Sequence, residues 1–493
     1  MRKITKALSA GLLCGLSGSS ALACLDYFHS QEWAEWLKTS DAASNAAHPT
    51  FAASSSRSTP GANAAVTAWK LNLTSATGTS FNPTINSFIN QTSADVQQVW
   101  YDATFVYVKH TGVPSHTTGR TDNNNPGYAS NLNRTSRIPR VPTEATTHTS
   151  TGLGGIGVMV NGALFFNASD AHSYNNLNIW HQNANIVEGG TFDVGPGHCA
   201  PGQGQMPGPT TPGTYHYHQG PAALLEQIDP ANTGQHHSPL LGFAFDGFPI
   251  YGPYGYSDPN NAASAPKRIA SSYQLRDDLL STGLRHSLTD GGAALPTAQW
   301  GPSISAQYPA GYYLEDYEYV AGNGDLNQYN ARFTITPEYP QGTWAYFMTR
   351  DDNGATYPYI AGPQYFGVLD TANIGPTGGM VAIPGGSSQL KVGDANVDGA
   401  VDLLDFNALA SGFGRYGLWQ NGDFNRDGSV NLIDFNLLAA NFGLSAMGAG
   451  GPTPQDWASL TAAGPEPCGA CAAIVTISQL ARPVRRARRA VRR

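Results

Sequence analysis

Gly157-Val158-Met159-Val160-Asn161-Gly162-Ala163-Leu164-Phe165-Phe166 is the stretch whose reading decides the fold class. Two short apolar runs flank an Asn-Gly pair, which most readily takes left-handed φ at both centres of a two-residue type I′ turn. The stretch therefore predicts a β-hairpin. Further strand signals lie on both sides of it. Val99-Trp100-Tyr101 and Thr104-Phe105-Val106-Tyr107-Val108 straddle Asp102-Ala103. Phe333-Thr334-Ile335-Thr336 and Thr343-Trp344-Ala345-Tyr346-Phe347-Met348 carry the same β-branched and aromatic bias. No long helical period falls between 63 and 370; short helices, such as one over 222–227, are expected. The sequence predicts a mainly β protein whose large, sandwich-like, β-rich domain covers 63–370.

Composition agrees. Charged residues make up only 13% of the 493, whereas Gly (56) and Pro (33) are abundant, a balance that suits turns and short strands. At roughly 150 residues per domain the length suggests about three units. Net charge is -8, and seven arginines crowd into the stretch from Arg482 to Arg493. With those set aside the body is more acidic still, which excludes the basic face that nucleic-acid binding needs.

The first 23 residues read as a signal peptide. Arg2, Lys3 and Lys6 precede the apolar Ala7 to Leu22, and Ala21-Leu22-Ala23 is an A-x-A cleavage pattern. A mature chain would begin at Cys24 and be secreted or held at the cell surface; a cysteine directly after the cut also admits lipidation. Residues 24–62 read as an N-terminal segment, with a short helix over 31–38, and a linker. Residues 371–390, rich in Gly, Pro and Ser, read as a second linker. The mature chain keeps Cys24, Cys199, Cys468 and Cys471, whose pairing stays open. The tail, 444–493, holds Pro465-Glu466-Pro467, an apolar run to Leu480 and the Arg-rich end. It resembles a degenerate PEP-type sorting signal. A basic tail touching anionic lipid is the alternative, so contact with a membrane is expected only through the signal or the tail.

Residues 391–443 contain a repeat. Asp394, Asn396, Asp398, Asp402 and Asp405 occupy positions 1, 3, 5, 9 and 12 of one loop, and Asp423, Asn425, Asp427, Asn431 and Asp434 occupy the same positions of another. Gly399 and Gly428 stand at position 6 of each. Calcium takes six to eight hard oxygens, and this EF-hand-like spacing wraps such oxygens around one ion. One apolar helix follows each loop, over 403–413 and 432–442, and none precedes it. That arrangement resembles the dockerin type I repeat. The resemblance implies a small all-α module with two calcium ions, a cohesin-like or surface-protein partner, and a setting in polysaccharide breakdown. Leu403-Leu404 and Leu432-Ile433 stand where many dockerins carry small polar residues.

Five of the 13 histidines fall between His198 and His237, the densest point being Tyr215-His216-Tyr217-His218. In a strand, His216 and His218 share one face and the tyrosines the other. With His198 from the Gly/Pro-rich loop after Asp193, they form a candidate site for a transition metal, Cu or Zn among others, with His236, His237 and Asp246 downstream. A polar core network of histidines bonded to tyrosine and backbone is the competing reading.

The same residues carry a second resemblance. Tyr215 to His218, Gly242-Phe243-Ala244-Phe245-Asp246-Gly247-Phe248-Pro249-Ile250-Tyr251-Gly252-Pro253, Gly311 to Tyr317, Thr336 to Pro340 and Tyr357 to Pro363 look like the YHYH domain family over roughly 95–370. The chain departs from that pattern at Cys199 and through an insertion over 203–211. Glu315, Asp316 and Glu318 with Glu338 suggest a glycosidase acid–base pair, against the alternative of a hydrogen-bonded face. No G-x-S-x-G, P-loop, H-E-x-x-H or dinucleotide fingerprint occurs. Three functions are open: an exported binding protein with a metal-binding domain and a calcium docking module, a secreted hydrolase of O-glycosyl bonds in polysaccharides, and a structural envelope protein.

Overall fold

Nine strands build the principal sheet: β1 Tyr128–Ala129, β2 Gly155–Met159, β3 Leu164–Phe166, β4 Gly197–Pro201, β5 Pro212–Tyr217, β6 Leu240–Ala244, β7 Pro249–Tyr251, β8 Ala331–Thr334 and β9 Thr343–Phe347. Their order is β4-β5-β3-β2-β6-β7-β9-β8, with β1 alongside β5. The sheet is mixed: β5 runs parallel to β3 and to β1, β7 parallel to β9, and the other neighbours are antiparallel. This computed structural model describes residues 60–444, apart from 83, 123, 202–204, 231–233 and 376–377. The expected signal peptide, the helix expected over 31–38, Cys24, Cys468, Cys471 and the expected sorting signal of the tail lie outside the described residues.

A four-stranded antiparallel sheet, ordered Ser388–Gln389, Val96–Tyr101, Phe105–His110, Arg134–Pro139, stands beside the first. Both feed one core: Val99, Val106, Val108 and Ile138 share it with Val158, Phe165, Phe243 and Tyr346. The molecule is thus β-rich with several sheets. Among the described residues no helix is long and apolar enough to cross a membrane.

The stretch around Asn161-Gly162 is a hairpin, but its turn is not type I′. Only Gly162 has positive φ, 79°. Gly162 N–H donates to Met159 O and Met159 N–H to Ala163 O, so the loop is a type I turn closed by a left-handed glycine. Asn161 is fully buried, its Oδ1 accepting from Ala163 N–H and its Nδ2 donating to the Tyr217 hydroxyl. Those two bonds fix it in ordinary backbone geometry.

Residues 371–390 are not a free tether. Asn373 exchanges two hydrogen bonds with the Arg137 backbone, Met380 bridges to Thr135, and Ser388–Gln389 pair with Trp100 and Tyr101. The segment reaches from one edge strand of the four-stranded sheet to the other. The bridges at Met380 and Ser388–Gln389 are made by backbone groups and need no side chains, which is why a Gly/Pro/Ser composition hid them.

Beyond it the repeat forms two loop–helix units, with helices Leu403–Gly412 and Leu432–Asn441. Asp402 and Asn431 cap them, and the Asp405 and Asp434 carboxylates accept back from the cap N–H groups. The repeat packs onto the β-rich body. The Tyr416 ring lies 5.0 Å from that of His236, and Asn63 Nδ2 donates to Asn396 O, while inside the repeat Trp419 Nε1 donates to Asp394 O. Arg426 is buried, and its charge opposes the burial that raises the pKa of Glu338.

A Cβ at Gly162 would stand 2.6 Å from His110 Cβ and would need a left-handed backbone. Gly162→Ala should therefore cost about 1–3 kcal/mol in urea unfolding. An unchanged midpoint would contradict the turn described above.

Candidate metal centre

The β4–β5 hairpin sets His198 directly opposite His216. Strand alternation then places His218, one residue past β5, on the same face. The inserted loop over 203–211 lies between two strands whose register is already fixed, so its length does not separate the histidines. Tyr215 and Tyr217 point to the other face, as alternation requires. The Tyr215 hydroxyl donates to Asp193 Oδ1 (3.0 Å), and the Tyr217 hydroxyl meets His116 Nε2 at 2.7 Å.

Three nitrogens converge. His198 Nε2 lies 3.0 Å from His216 Nε2, which lies 3.0 Å from His218 Nε2, and all three rings are buried. The opposite nitrogens decide the tautomers. His216 Nδ1 faces Thr214 O at 3.0 Å and His218 Nδ1 faces Asn167 O at 2.7 Å. A carbonyl only accepts, so both Nδ1 atoms carry a proton. His198 Nδ1 faces Thr191 Oγ1 at 2.7 Å, and that hydroxyl already donates to Glu188 O. His198 Nδ1 must donate as well. Each neutral ring therefore presents a bare Nε2 lone pair toward the other two, the arrangement in which an oxygen acceptor orients a metal-binding imidazole. The three histidines form a cluster that could hold a metal ion.

Burial keeps two of these rings, His198 and His216, neutral. Burial, with the neighbouring His218 adding to it, pushes His198 down to about 3. Burial, with His198 and His218 alongside, holds His216 well below the usual histidine range. Phe166 stacks on His216 at 3.8 Å between centroids, and Phe192 meets the His198 ring edge-on at 5.0 Å. These faces bar water from the rings without offering a competing donor.

Asp193, the carboxylate nearest in sequence, does not join them. Its Oδ1 accepts from the N–H groups of Gly195 and Gly197 and from the Tyr215 hydroxyl, and its Oδ2 accepts from Gly119 N–H. It shapes the loop that carries His198. The carboxylate that does reach the cluster is Glu188, with Oε2 3.1 Å from His218 Nε2 and 3.7 Å from His198 Nε2. Sequence reasoning passed over it because a single Glu in a short helix-and-loop segment carries no spacing signal.

The other candidates are engaged elsewhere. Asp246 takes bonds from the Tyr346 hydroxyl (2.6 Å), Gly367 N–H and Phe248 N–H, while burial pushes its pKa up to about 6. His236 pairs with Asp229, and His237 Nδ1 donates to Ser238 O. Glu315 holds His181 through its ring and its N–H, Asp316 is locked in a fully buried pair with Arg285, and Glu318 accepts from Gln274. Glu338 accepts from the Tyr251 hydroxyl inside the core. Each of these carboxylates has an internal partner, in line with the hydrogen-bonded alternative.

The loop residues of the repeat gather in two places. In the first, Asp394 accepts from Asp398 and Gly399 N–H, and Asp405 from Ala395, Asn396 and Asp402 N–H; Asn396 Nδ2 donates to Asp398. In the second, Asp423, Asn425, Asp427 and Asp434 repeat those bonds at the matching positions. Asp402 and Asn431 are spent as helix caps through Oδ1.

Residues 135–360 match the family model described as YHYH protein. The match contains the whole histidine cluster and ends before the repeat. No curated protein matches the chain, and no solved structure does. The YHYH motif has a direct structural reading: its histidines turn to the cluster and its tyrosines bind the layer behind.

Imidazole 15N spectra of metal-free protein at pH 7 should report a proton on Nδ1 of His198, His216 and His218, with His198 and His216 as neutral Nδ1–H tautomers. With His198 and His216 held far below 6.5, those two should stay neutral down to pH 5. An Nε2–H tautomer at His216 would overturn the geometry.

Proposed function

We propose that this is an exported binding protein whose YHYH region takes one divalent transition-metal ion on His198, His216 and His218. The convergence of three bare Nε2 atoms carries the reading. A polar core network needs a proton between each close pair of nitrogens, and neutral rings that have committed Nδ1 have none to give. Imidazole donors favour Zn or Cu. At a metal–nitrogen distance of roughly 2.0–2.1 Å, nitrogens 3.0 Å apart subtend about 95° at the ion.

The repeat is read as a dockerin-like, calcium-stapled docking or spacer module facing a cohesin-like or surface partner. Its support is the buried acid in each loop. Asp394, Asp405, Asp423 and Asp434 are buried, and none belongs to an ion pair among the described residues. Burial, with Asp405 adding to it, pushes Asp394 up to about 7; burial takes Asp423 to about 7 against the pull of Arg426. A calcium ion in each loop would stabilise the charged forms.

Purified protein stripped with EDTA and reloaded should hold one equivalent of Zn or Cu, lost in the double variant His216→Ala, His218→Ala. Calcium alone, with no transition metal, would sink the metal reading. Reducing sugar released from a polysaccharide panel would replace binding with hydrolysis.

Calcium should raise the melting temperature with a stoichiometry of two, falling to one in Asp394→Ala and in Asp423→Ala. A melting temperature indifferent to calcium would remove the repeat's proposed role.

A further inference from the structure

Glu188 is the C-cap of the short helix Ala184–Val187. Its backbone is tied down: N–H donates to Ala184 O, and its carbonyl accepts from both the N–H and the hydroxyl of Thr191. The helix begins at the buried Asn183, which caps it, and Asn185 Nδ2 donates to His218 O. Through Thr191 and Asn185 the helix is anchored to two of the three histidines.

The side chain is placed as firmly but unsatisfied. Glu188 Oε2 is buried and makes no hydrogen bond. It faces His218 Nε2 at 3.1 Å and His198 Nε2 at 3.7 Å, the same two lone pairs that face the cluster centre. With the rings neutral, a carboxylate oxygen against bare nitrogen lone pairs is repulsive, and a buried carboxylate oxygen without a donor is costly. One cation between the four atoms resolves every such contact together. With metal–ligand distances of roughly 2.0–2.2 Å, the two O···N separations subtend about 95° and 125° at the ion, within the range of a distorted four-coordinate centre.

We infer that Glu188 Oε2 is the fourth protein ligand of the centre, making it a site of three imidazoles and one carboxylate for a divalent first-row cation. The inference rests on the metal reading of the histidine triad and adds a donor to it. A hard anionic oxygen narrows the choice: it suits Zn(II), Co(II), Fe(II) or Mn(II) and disfavours Cu(I), which prefers soft ligands. The carboxylate also cancels one of the two positive charges, so the loaded centre carries a single net positive charge beneath the surface.

Co(II) is the probe, because its visible spectrum reports coordination number and donor set, and Zn(II) competition against a chromophoric chelator gives affinity. The wild-type full chain should take one Co(II) with the strong visible bands of a low-coordinate ion. Glu188→Gln should weaken Zn(II) binding by at least about tenfold and shift the Co(II) bands. Its metal-free melting temperature should be no lower than that of the wild type, since the lost oxygen makes no bond in the fold and its repulsion against the imidazoles is relieved. Glu188→Asp, which keeps the charge and shortens the reach by one methylene, should also weaken binding and guards against a folding defect in the first variant. Unchanged affinity and spectrum in both variants, with metal still lost in His216→Ala, would overturn the role of Glu188 and leave the triad standing. A wild-type protein that takes neither Co(II) nor Zn(II) would overturn the triad reading, and this one with it.

Discussion

The pairing of His198 against His216 across β4 and β5 is the contact on which the centre depends. An antiparallel register fixes which side chains stand opposite each other, and a slip of β5 by one residue would turn His216, with His218, to the face away from His198. The molecule guards that register from behind. Tyr215 is held by Asp193, and Tyr217 by His116 and Asn161, so the tyrosine face locks the strand in the phase that the histidine face needs. Asn161 sits in the β2–β3 hairpin, and β3 is the parallel neighbour of β5. One turn thus links the fold to the site.

Around the cluster, polar groups are divided between two tasks. Backbone carbonyls and one hydroxyl take the Nδ1 protons, which orients the rings. Aromatic rings cover the faces, which keeps them dry. What is left unassigned is a set of lone pairs pointing inward, with one carboxylate oxygen among them. Elsewhere in the core, acids such as Asp246 and Asp316 have donors or an arginine. The contrast between a satisfied Asp316 and an unsatisfied Glu188 is the contrast between a structural acid and the ligand proposed above.

Much of this was legible in the chain. Strand periodicity located β2, β3, β8 and β9, and alternation predicted that His216 and His218 share a face. Two features were not legible for physical reasons. The Asn161-Gly162 turn type depended on a tertiary bond to Tyr217, and local propensity cannot register a partner 56 residues away. Glu188 depended on where a four-residue helix ends in space, which no spacing rule encodes. Asp193, the carboxylate nearest His198 in sequence, spends its oxygens on three N–H groups and a phenol.

The segment from 371 to 390 has a consequence for how copies of this protein behave together. By touching Thr135 on one margin of the four-stranded sheet and pairing with Trp100 and Tyr101 on the other, it occupies backbone groups that would otherwise be open to a neighbour's strand. A polypeptide strap that does this lets a β-rich domain be crowded at high density without strand-to-strand association. A protease cut within the strap would free the backbone groups of both margins for a neighbour's strand.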